Sequence, residues 1–271
     1  MANCFMKRRS FVKKSLIAGS LAGVLPVAAA AENPNMAKKL KQEFYELRVY
    51  TLKNDIQQKL VEDYLKNAAI PAFNRFGSNN IGVFTELKPV GQTKVYVLIP
   101  YNSLEDFIKV EDKLDDDSEY KNAATAYLSA PATEPAYERI ESSLLQAFAG
   151  VPKLIIPEKK ERIFELRRYE SASETAGKKK IEMFNTAGEL AIFKKAGLRP
   201  VFFGETLIGG LRPNLTYMLT YDDMAEHDKN WKAFGSDPDW KKLSTIPEYT
   251  DARLVSKITA TFLAPTDFSQ I

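Results

Sequence analysis

The chain has 271 residues, of which 45% are hydrophobic, 27% charged and 11% aromatic. This mixture is typical of a globular protein with a substantial core, and the length allows one large domain or two ordinary ones. Beyond residue 31 the sequence has no apolar run long enough to span a membrane.

Residues 1–31 have the composition of an export signal. A basic stretch with paired arginines at 7–14 precedes a moderately apolar stretch at 15–27, and four alanines follow. This order is typical of secretory signals, and the paired arginines resemble a bacterial twin-arginine signal. An ordinary secretory signal, or a lipoprotein signal using Cys4, is the alternative. We expect cleavage before Glu32 and a periplasmic or otherwise exported location in a bacterium.

Removal of this signal changes the charge of the protein. Five of the 38 basic residues and none of the 35 acidic residues lie in it, so the mature chain has 33 basic and 35 acidic residues and a net charge of −2. We therefore expect no nucleic-acid partner, and no membrane association once the signal is removed. Cys4 is the only cysteine, so the mature chain has no disulfide, thiolate nucleophile or cysteine metal ligand.

The first half of the mature chain predicts the order β-α-β-β-α-β. Its predicted elements are strands at 43–51, 81–87, 95–99 and 137–148, a helix at 55–76 and a helix that opens after Ser103. Pro71 should kink or restart the first helix, and Gly77 should end it. Ser103 is a suitable N-cap.

The second half predicts the same order. Its predicted elements are strands at 162–169, 201–207, 215–221 and 252–262, helices at 177–195 and 222–234, and a further turn at 237–240. Gly197 should end the first of these helices. A linker rich in proline and lysine separates the halves, which gives predicted domains at 43–150 and 161–271.

One strand sequence occurs twice. Residues 44–50 and 163–169 both contain Glu-Leu-Arg-x-Tyr, 119 positions apart, and the alternation of polar and apolar residues indicates a strand. Two rounds of β-α-β-β-α-β predict an α+β fold of two tandem ferredoxin-like units. Two such sheets can pack face to face as a pseudo-dimer and form a closed barrel if their edges join.

Each duplicated strand has one polar face. The polar residues are Glu46, Arg48, Tyr50, Glu165, Arg167 and Tyr169. We expect these residues to face the other sheet, and Leu47 and Leu166 to face the helices. Two interpretations stay open: ion pairs that set the packing of the repeats, or a ligand chamber in which the arginines anchor an anion. Arg168 stands where the first copy has Val49, so any chamber should be asymmetric.

Three segments resemble the NIPSNAP family: residues 45–52, residues 221–240 and residues 262–269. Their order and spacing together carry the resemblance, which covers nearly all of the mature chain. The resemblance implies a dimeric α/β-barrel fold with two units in this chain, and it implies no settled reaction. The family commonly has an arginine where His227 stands, and the first copy lacks the Asp-Pro-Asp-Trp element of residues 237–240.

The mature chain offers little chemistry for a cofactor or metal. His227 is the only histidine, and it could be a solvated surface residue, a general base or an axial ligand of haem. Trp231, with neighbouring aromatic residues, could form a ligand wall or pack in a core. The acidic run at 115–117 is more typical of a solvated loop than of a cation site. We expect no metal and no cofactor, with haem as the alternative.

Two classes of function therefore remain open. In the first, an exported protein binds a small molecule between its sheets, with Arg48, Arg167, His227 and Trp231 as the ligand-binding residues. In the second, the protein is a cofactor-poor enzyme of oxygenase or isomerase type. Its catalytic candidates are a base, Glu46 or Glu165, and a hydrogen donor, Tyr50 or Tyr169. Self-association of the protein also remains open.

Overall fold

The computed structural model describes residues 41–271, which form one compact unit. The predicted export signal lies outside these residues. Within the described part of the chain, the helices are all too short or too polar to cross a membrane.

The first half folds in the predicted order. Its elements are β1 (Phe44–Leu52), α1 (Asp55–Tyr64), a π-helical turn (Leu65–Ala69), α2 (Ile70–Arg75), β2 (Gly82–Glu86), β3 (Thr93–Tyr101), α3 (Leu104–Asp116), α4 (Ser118–Ala123), α5 (Thr125–Leu128) and β4 (Arg139–Ala147). In the π-helical turn, the Ile70 N–H donates a hydrogen bond to the Leu65 carbonyl. Pro71 follows this turn and lies in the first turn of α2. Proline lacks the N–H that would continue a regular α-helix, which accounts for the change of register here.

The second half repeats this order. Its elements are β5 (Ile163–Glu170), α6 (Glu174–Asn185), α7 (Glu189–Lys195), β6 (Arg199–Ile208), β7 (Asn214–Tyr221), α8 (Met224–Ser236), α9 (Pro238–Ser244), α10 (Asp251–Leu254) and β8 (Lys257–Pro265). The helix predicted at 177–195 is two helices, because Gly188 has a φ of 105° and interrupts it. The last strand begins at Lys257 rather than at 252. Lys257 pairs with Glu170, the last residue of β5.

The eight strands form one closed barrel in the order β1-β3-β2-β8-β5-β7-β6-β4. Each half contributes four antiparallel strands in ferredoxin-like order, and the two sheets join where β2 pairs with β8 and β4 pairs with β6. Closure leaves none of these eight described strands with an unpaired edge. The predicted fold, two tandem ferredoxin-like units packed as a dimeric-α/β-barrel-type pseudo-dimer, is confirmed.

The barrel interior is filled mainly by apolar side chains. Its buried cluster includes Tyr45, Phe84, Leu98, Phe164, Leu166, Phe202, Met218 and Leu263. Tyr50 and Tyr169 belong instead to the two clusters between the sheets and the helices. The prediction that the Glu, Arg and Tyr of each duplicated strand face the other sheet is therefore wrong. Alternation shows that a strand has two faces, but helices or a second sheet can cover either one.

Candidate functional site

In the first half, the duplicated Glu-Arg pair lies between the sheet and the helices. Glu46 accepts hydrogen bonds from Arg48 at 2.5 Å, from the Tyr101 hydroxyl at 3.2 Å and from the Ser142 hydroxyl at 2.6 Å. The Arg48 guanidinium lies 5.6 Å from the ring centre of Phe73 in α2. Each charged group thus has a partner of opposite charge or a hydrogen-bond donor beside it.

The second half repeats this arrangement with different outer partners. Glu165 accepts hydrogen bonds from Arg167 at 2.5 Å, from the Tyr221 hydroxyl at 3.0 Å and from the Trp231 indole N–H at 3.0 Å. The Arg167 guanidinium stacks over Trp231, 4.4 Å from a ring centre. His227 Nε2 lies 3.5 Å from the same Glu165 carboxylate.

The pairing holds both arginines in their charged form. Burial opposes charge, but the neighbouring Glu46 raises the pKa of Arg48 above its ordinary value. Burial likewise opposes charge on Arg167, while Tyr217, Tyr169 and Glu165 raise its pKa. Neither guanidinium is left without a counter-charge, so these contacts favour the interpretation as structural ion pairs.

The two tyrosines of the repeated strands are also enclosed. Tyr50 is 1% exposed and packs edge-on against Tyr137. Tyr169 accepts hydrogen bonds from the Tyr217 hydroxyl at 3.0 Å and from Arg167 at 3.3 Å. These hydroxyls lie within the layer between sheet and helices.

Three residues that donate hydrogen bonds to Glu46 or Glu165 were not predicted from the sequence. Tyr101 and Tyr221 both end the third strand of their unit, two residues before the N-caps Ser103 and Asp223. That shared position is a repeat signal that could have identified them as partners of the two glutamates. Ser142 carried no comparable signal, because the corresponding position beside Arg167 on β8 is Ala260.

A buried lysine extends the second polar layer. Lys180 is 1% exposed, and its Nζ lies 3.4 Å from both Glu189 and Asp251. Burial raises the pKa of Glu189 to about 7, although Lys180 opposes this shift. The sequence does not indicate this pair, because lysines and glutamates on helices are usually solvated.

His227 is not the solvated residue that its acidic neighbours suggested. Its side chain is 14% exposed and lies between the rings of Tyr221 and Phe262, each 5.0 Å away, while Nδ1 contacts Asp228 at 2.8 Å. With both nitrogens next to carboxylates and rings on two sides, the residues around His227 do not fit axial ligation of haem. Trp231 likewise packs, edge to face, against Phe193.

A cavity of about 260 Å³ opens at one end of the barrel and is called here the barrel-mouth cavity. Seven strands line it, through Leu47, Val49, Lys94, Tyr96, Glu141, Ser143, Leu145, Leu166, Arg168, Thr206, Asn214, Thr216, Thr259 and Thr261, together with Gly210 and Leu211. None of the predicted site residues is among them. Arg168, the residue that breaks the repeat, is the one arginine in this lining.

Arg168 is only partly satisfied by the protein. Its side chain is 35% exposed, and its Nε lies 3.5 Å from Glu170 without forming a hydrogen bond to any described residue. Asn214 holds the neighbouring wall by accepting from Thr206 at 2.6 Å and donating to the Gly210 and Leu211 carbonyls. The barrel-mouth cavity therefore has a cation, Arg168, that is only partly paired, beside a polar wall that the hydrogen bonds of Asn214 hold in place.

No metal centre is formed by residues 41–271, in which no three His, Cys, Asp or Glu side chains are placed to hold an ion. The acidic run is instead divided between two helices: Asp115 and Asp116 end α3, and Asp117 precedes α4. Asp117 caps α4 by accepting from the Tyr120 N–H and pairs with Arg75.

Comparison with solved structures supports the barrel architecture. A Fusobacterium nucleatum protein described as a candidate monooxygenase aligns with a TM-score of 0.53 at 11% identity, covering 83% of this chain and 93% of that one. A Lactobacillus acidophilus protein of the same description gives a TM-score of 0.53 at 11% identity, over 83% and 94%. At these identities the likeness shows the fold alone.

Single-unit relatives cover less of the chain. A NIPSNAP family protein from Agrobacterium tumefaciens is 22% identical, covers 40% of this chain and 96% of its own, and has a TM-score of 0.35. No curated protein matches the sequence significantly. The NIPSNAP family matches twice, over residues 45–149 and 164–270. The chain therefore belongs to the NIPSNAP family and contains two copies of its characteristic unit.

Proposed function

We propose that this protein binds a small anionic molecule in the barrel-mouth cavity, with Arg168 as the anchoring cation. The observation that carries the proposal is the position of Arg168. It lines a cavity enclosed by seven strands, at the position where the first repeat has Val49. A partly buried cation needs a counter-charge, and Glu170 provides only a long contact.

The chemistry of the lining sets the ligand class. Lys94 adds a second positive charge, and Glu141 is the one acidic residue that the described part of the chain contributes to the lining. The hydroxyls of Ser143, Thr259 and Thr261 supply neutral hydrogen-bonding groups. The volume of about 260 Å³ lies slightly below the range of roughly 300–1,000 Å³ for drug-sized ligands. These properties favour a short-chain carboxylate that also carries hydroxyl or carbonyl groups.

Calorimetric titration of the full chain with a panel of short hydroxy- and keto-carboxylates tests this proposal. Arg168→Val installs the residue of the first repeat, and we expect it to weaken binding at least tenfold. Arg253→Val, in α10 and away from the cavity, is the matched control and should leave binding unchanged. Equal affinity in the wild type and in Arg168→Val would contradict the proposal.

A cofactor-poor enzyme is the second candidate, supported by the contact of 3.5 Å between the buried Glu165 carboxylate and His227. A buried carboxylate beside an imidazole can exchange protons with a substrate. The two fold neighbours described as candidate monooxygenases add only an analogy.

Oxygen uptake with a panel of phenols tests this candidate. His227→Phe introduces the residue type that the first half has at the corresponding position, Phe107. Phe107 packs against Tyr101 as His227 packs against Tyr221. Activity should be lost in His227→Phe and in Glu165→Gln. Retention of activity in both variants would exclude this pair from catalysis.

We propose further that the protein is exported from the cytoplasm. The supporting observation is the basic, apolar and alanine-rich order of residues 1–31. Mass spectrometry of the protein from a periplasmic extract should find Glu32 at the N-terminus. A full-length protein confined to the cytoplasm would contradict the assignment.

A further inference from the structure

A second cavity lies outside the barrel, between the linker and the segment from α7 to β6. It measures about 660 Å³ and is called here the linker cavity. Its apolar lining comes mainly from Val151 and Ile155 of the linker, Leu190 and Phe193 of α7, and Leu198. The size is within the usual range for small-molecule sites, and the lining suits an apolar ligand body.

A buried arginine lies at this cavity. Arg162 is 6% exposed; it donates to the Thr220 hydroxyl at 3.3 Å and to the backbone carbonyl of Glu158. Its Nε has no hydrogen-bond partner, and no carboxylate lies within ion-pair distance, among the described residues. A buried guanidinium with only neutral oxygen partners is costly and favours a bound anion.

The net effect of the surroundings points the same way. Burial lowers the pKa of Arg162, and the nearby positive charge of Arg199 lowers it further. The carboxylates of Asp222, Glu158 and Glu226 raise this pKa but do not reverse the shift. Arg199 and Lys194 line the same cavity, and among residues 41–271 Glu158 is its only acidic lining residue. Arg199 is already paired with Asp222 and Glu226, and Lys194 is exposed to solvent. Arg162 is thus the buried cation of this lining, and no carboxylate of the described residues lies within ion-pair distance of it.

The first repeat provides an internal comparison. The position that corresponds to Arg162 is Glu43, whose carboxylate accepts from the Leu154 N–H at 2.7 Å. The position that corresponds to Thr220 is Pro100, which has no hydroxyl. The equivalent cavity there is only about 170 Å³ and includes Glu43. The larger, cationic and apolar cavity is thus a property of the second repeat and not of the fold itself.

We propose that the linker cavity binds a single-chain amphipathic carboxylate, with the anionic group at Arg162 and the apolar chain against Ile155, Leu190 and Phe193. The apolar lining accounts for the chain, and the buried guanidinium accounts for the carboxylate. This site is separate from the barrel mouth, so each proposal can fail without the other.

Calorimetry with hexanoate, octanoate and octanol tests this site on the full chain carrying Arg168→Val, which removes the proposed mouth anchor. We expect one octanoate per chain. Each additional methylene should tighten binding about fourfold. Octanol should bind more weakly than octanoate. Arg162→Gln should weaken octanoate binding at least tenfold and leave octanol unaffected, while Arg253→Gln should change neither.

A second variant guards against loss of folding. Ile155 is 45% exposed, so Ile155→Asp should fold normally and repel the ligand by its charge. Unchanged octanoate affinity in Arg162→Gln, together with a lowered melting temperature, would mean that Arg162 only ties down the linker and would overturn the proposal. Equal affinity for hexanoate and octanoate, or no saturable binding at millimolar octanoate, would also overturn it.

Discussion

The buried ion pair of the second half allows a sharp test of how the polar layer contributes to stability. Glu165→Gln keeps the shape of the side chain and an oxygen that can still accept from Tyr221 and Trp231. It removes the charge opposite Arg167, whose side chain is 17% exposed and whose carboxylate partner is 1% exposed. An uncompensated charge in such a site costs about 3–5 kcal/mol, a large fraction of an ordinary stability of about 5–15 kcal/mol.

Urea denaturation followed by far-UV circular dichroism measures this loss as a lower midpoint at an unchanged m-value. Glu105→Gln is the control, because Glu105 pairs with Lys109 at the same distance of 2.5 Å but is 71% exposed. Its midpoint should not move measurably.

The double variant Glu165→Gln, Arg167→Met identifies the cause. Removing both charges takes away the uncompensated guanidinium, so the double variant should be more stable than Glu165→Gln by about 2 kcal/mol or more. A double variant as unstable as Glu165→Gln would refute the reasoning and would show that packing or the neutral hydrogen bonds account for the loss.

Substitutions at three further positions test other parts of the second half. Burial raises the pKa of Glu189 from its ordinary 4.5 to about 7, so the folded state retains a proton that the unfolded chain releases, and stability should fall as pH rises across that window. The fall in the free energy of unfolding between pH 4 and 8, measured from urea denaturation, should be smaller in Glu189→Gln by up to roughly 3 kcal/mol. An unchanged pH dependence would mean that other groups cause the fall. Gly188→Ala should cost about 1 kcal/mol in thermal unfolding, because φ is 105° and no atom lies within 4 Å of the added Cβ; Gly188→Asn should cost less, and the reverse order would be inconsistent with a backbone cause. Ser173→Ala removes the cap that accepts from the Ala176 N–H and should cost about 1 kcal/mol in the same assay, whereas a neutral result would mean that water replaces the cap.

Much of the fold follows from local patterns. Two rounds of the same topology are predicted by the duplicated strand, by the glycines that end the first predicted helix of each unit, and by the N-cap Ser103. Gly77 and Gly197 have φ values of 98° and 81°, as expected after a helix. The break at Gly188 was missed because a single glycine within a helical pattern is often tolerated.

The candidate site was harder to predict. The sequence indicated that Glu165 and Arg167 share a strand face, and they do form a pair. It did not indicate that Trp231, 66 positions after Glu165, would donate to the same carboxylate. Contacts of this kind depend on where a helix packs across the sheet, and local periodicity contains no information on that.

The sequence by itself determined that this protein is a tandem repeat of one α+β unit and that Arg168 breaks the symmetry of the repeat. Period-two alternation and helix-ending glycines act over a few residues, so they can be read locally. Only the tertiary structure decided which strand face lines the barrel, because sheet closure and helix packing cover both faces. It placed the Glu-Arg pairs under the helices and Arg168 at the barrel mouth.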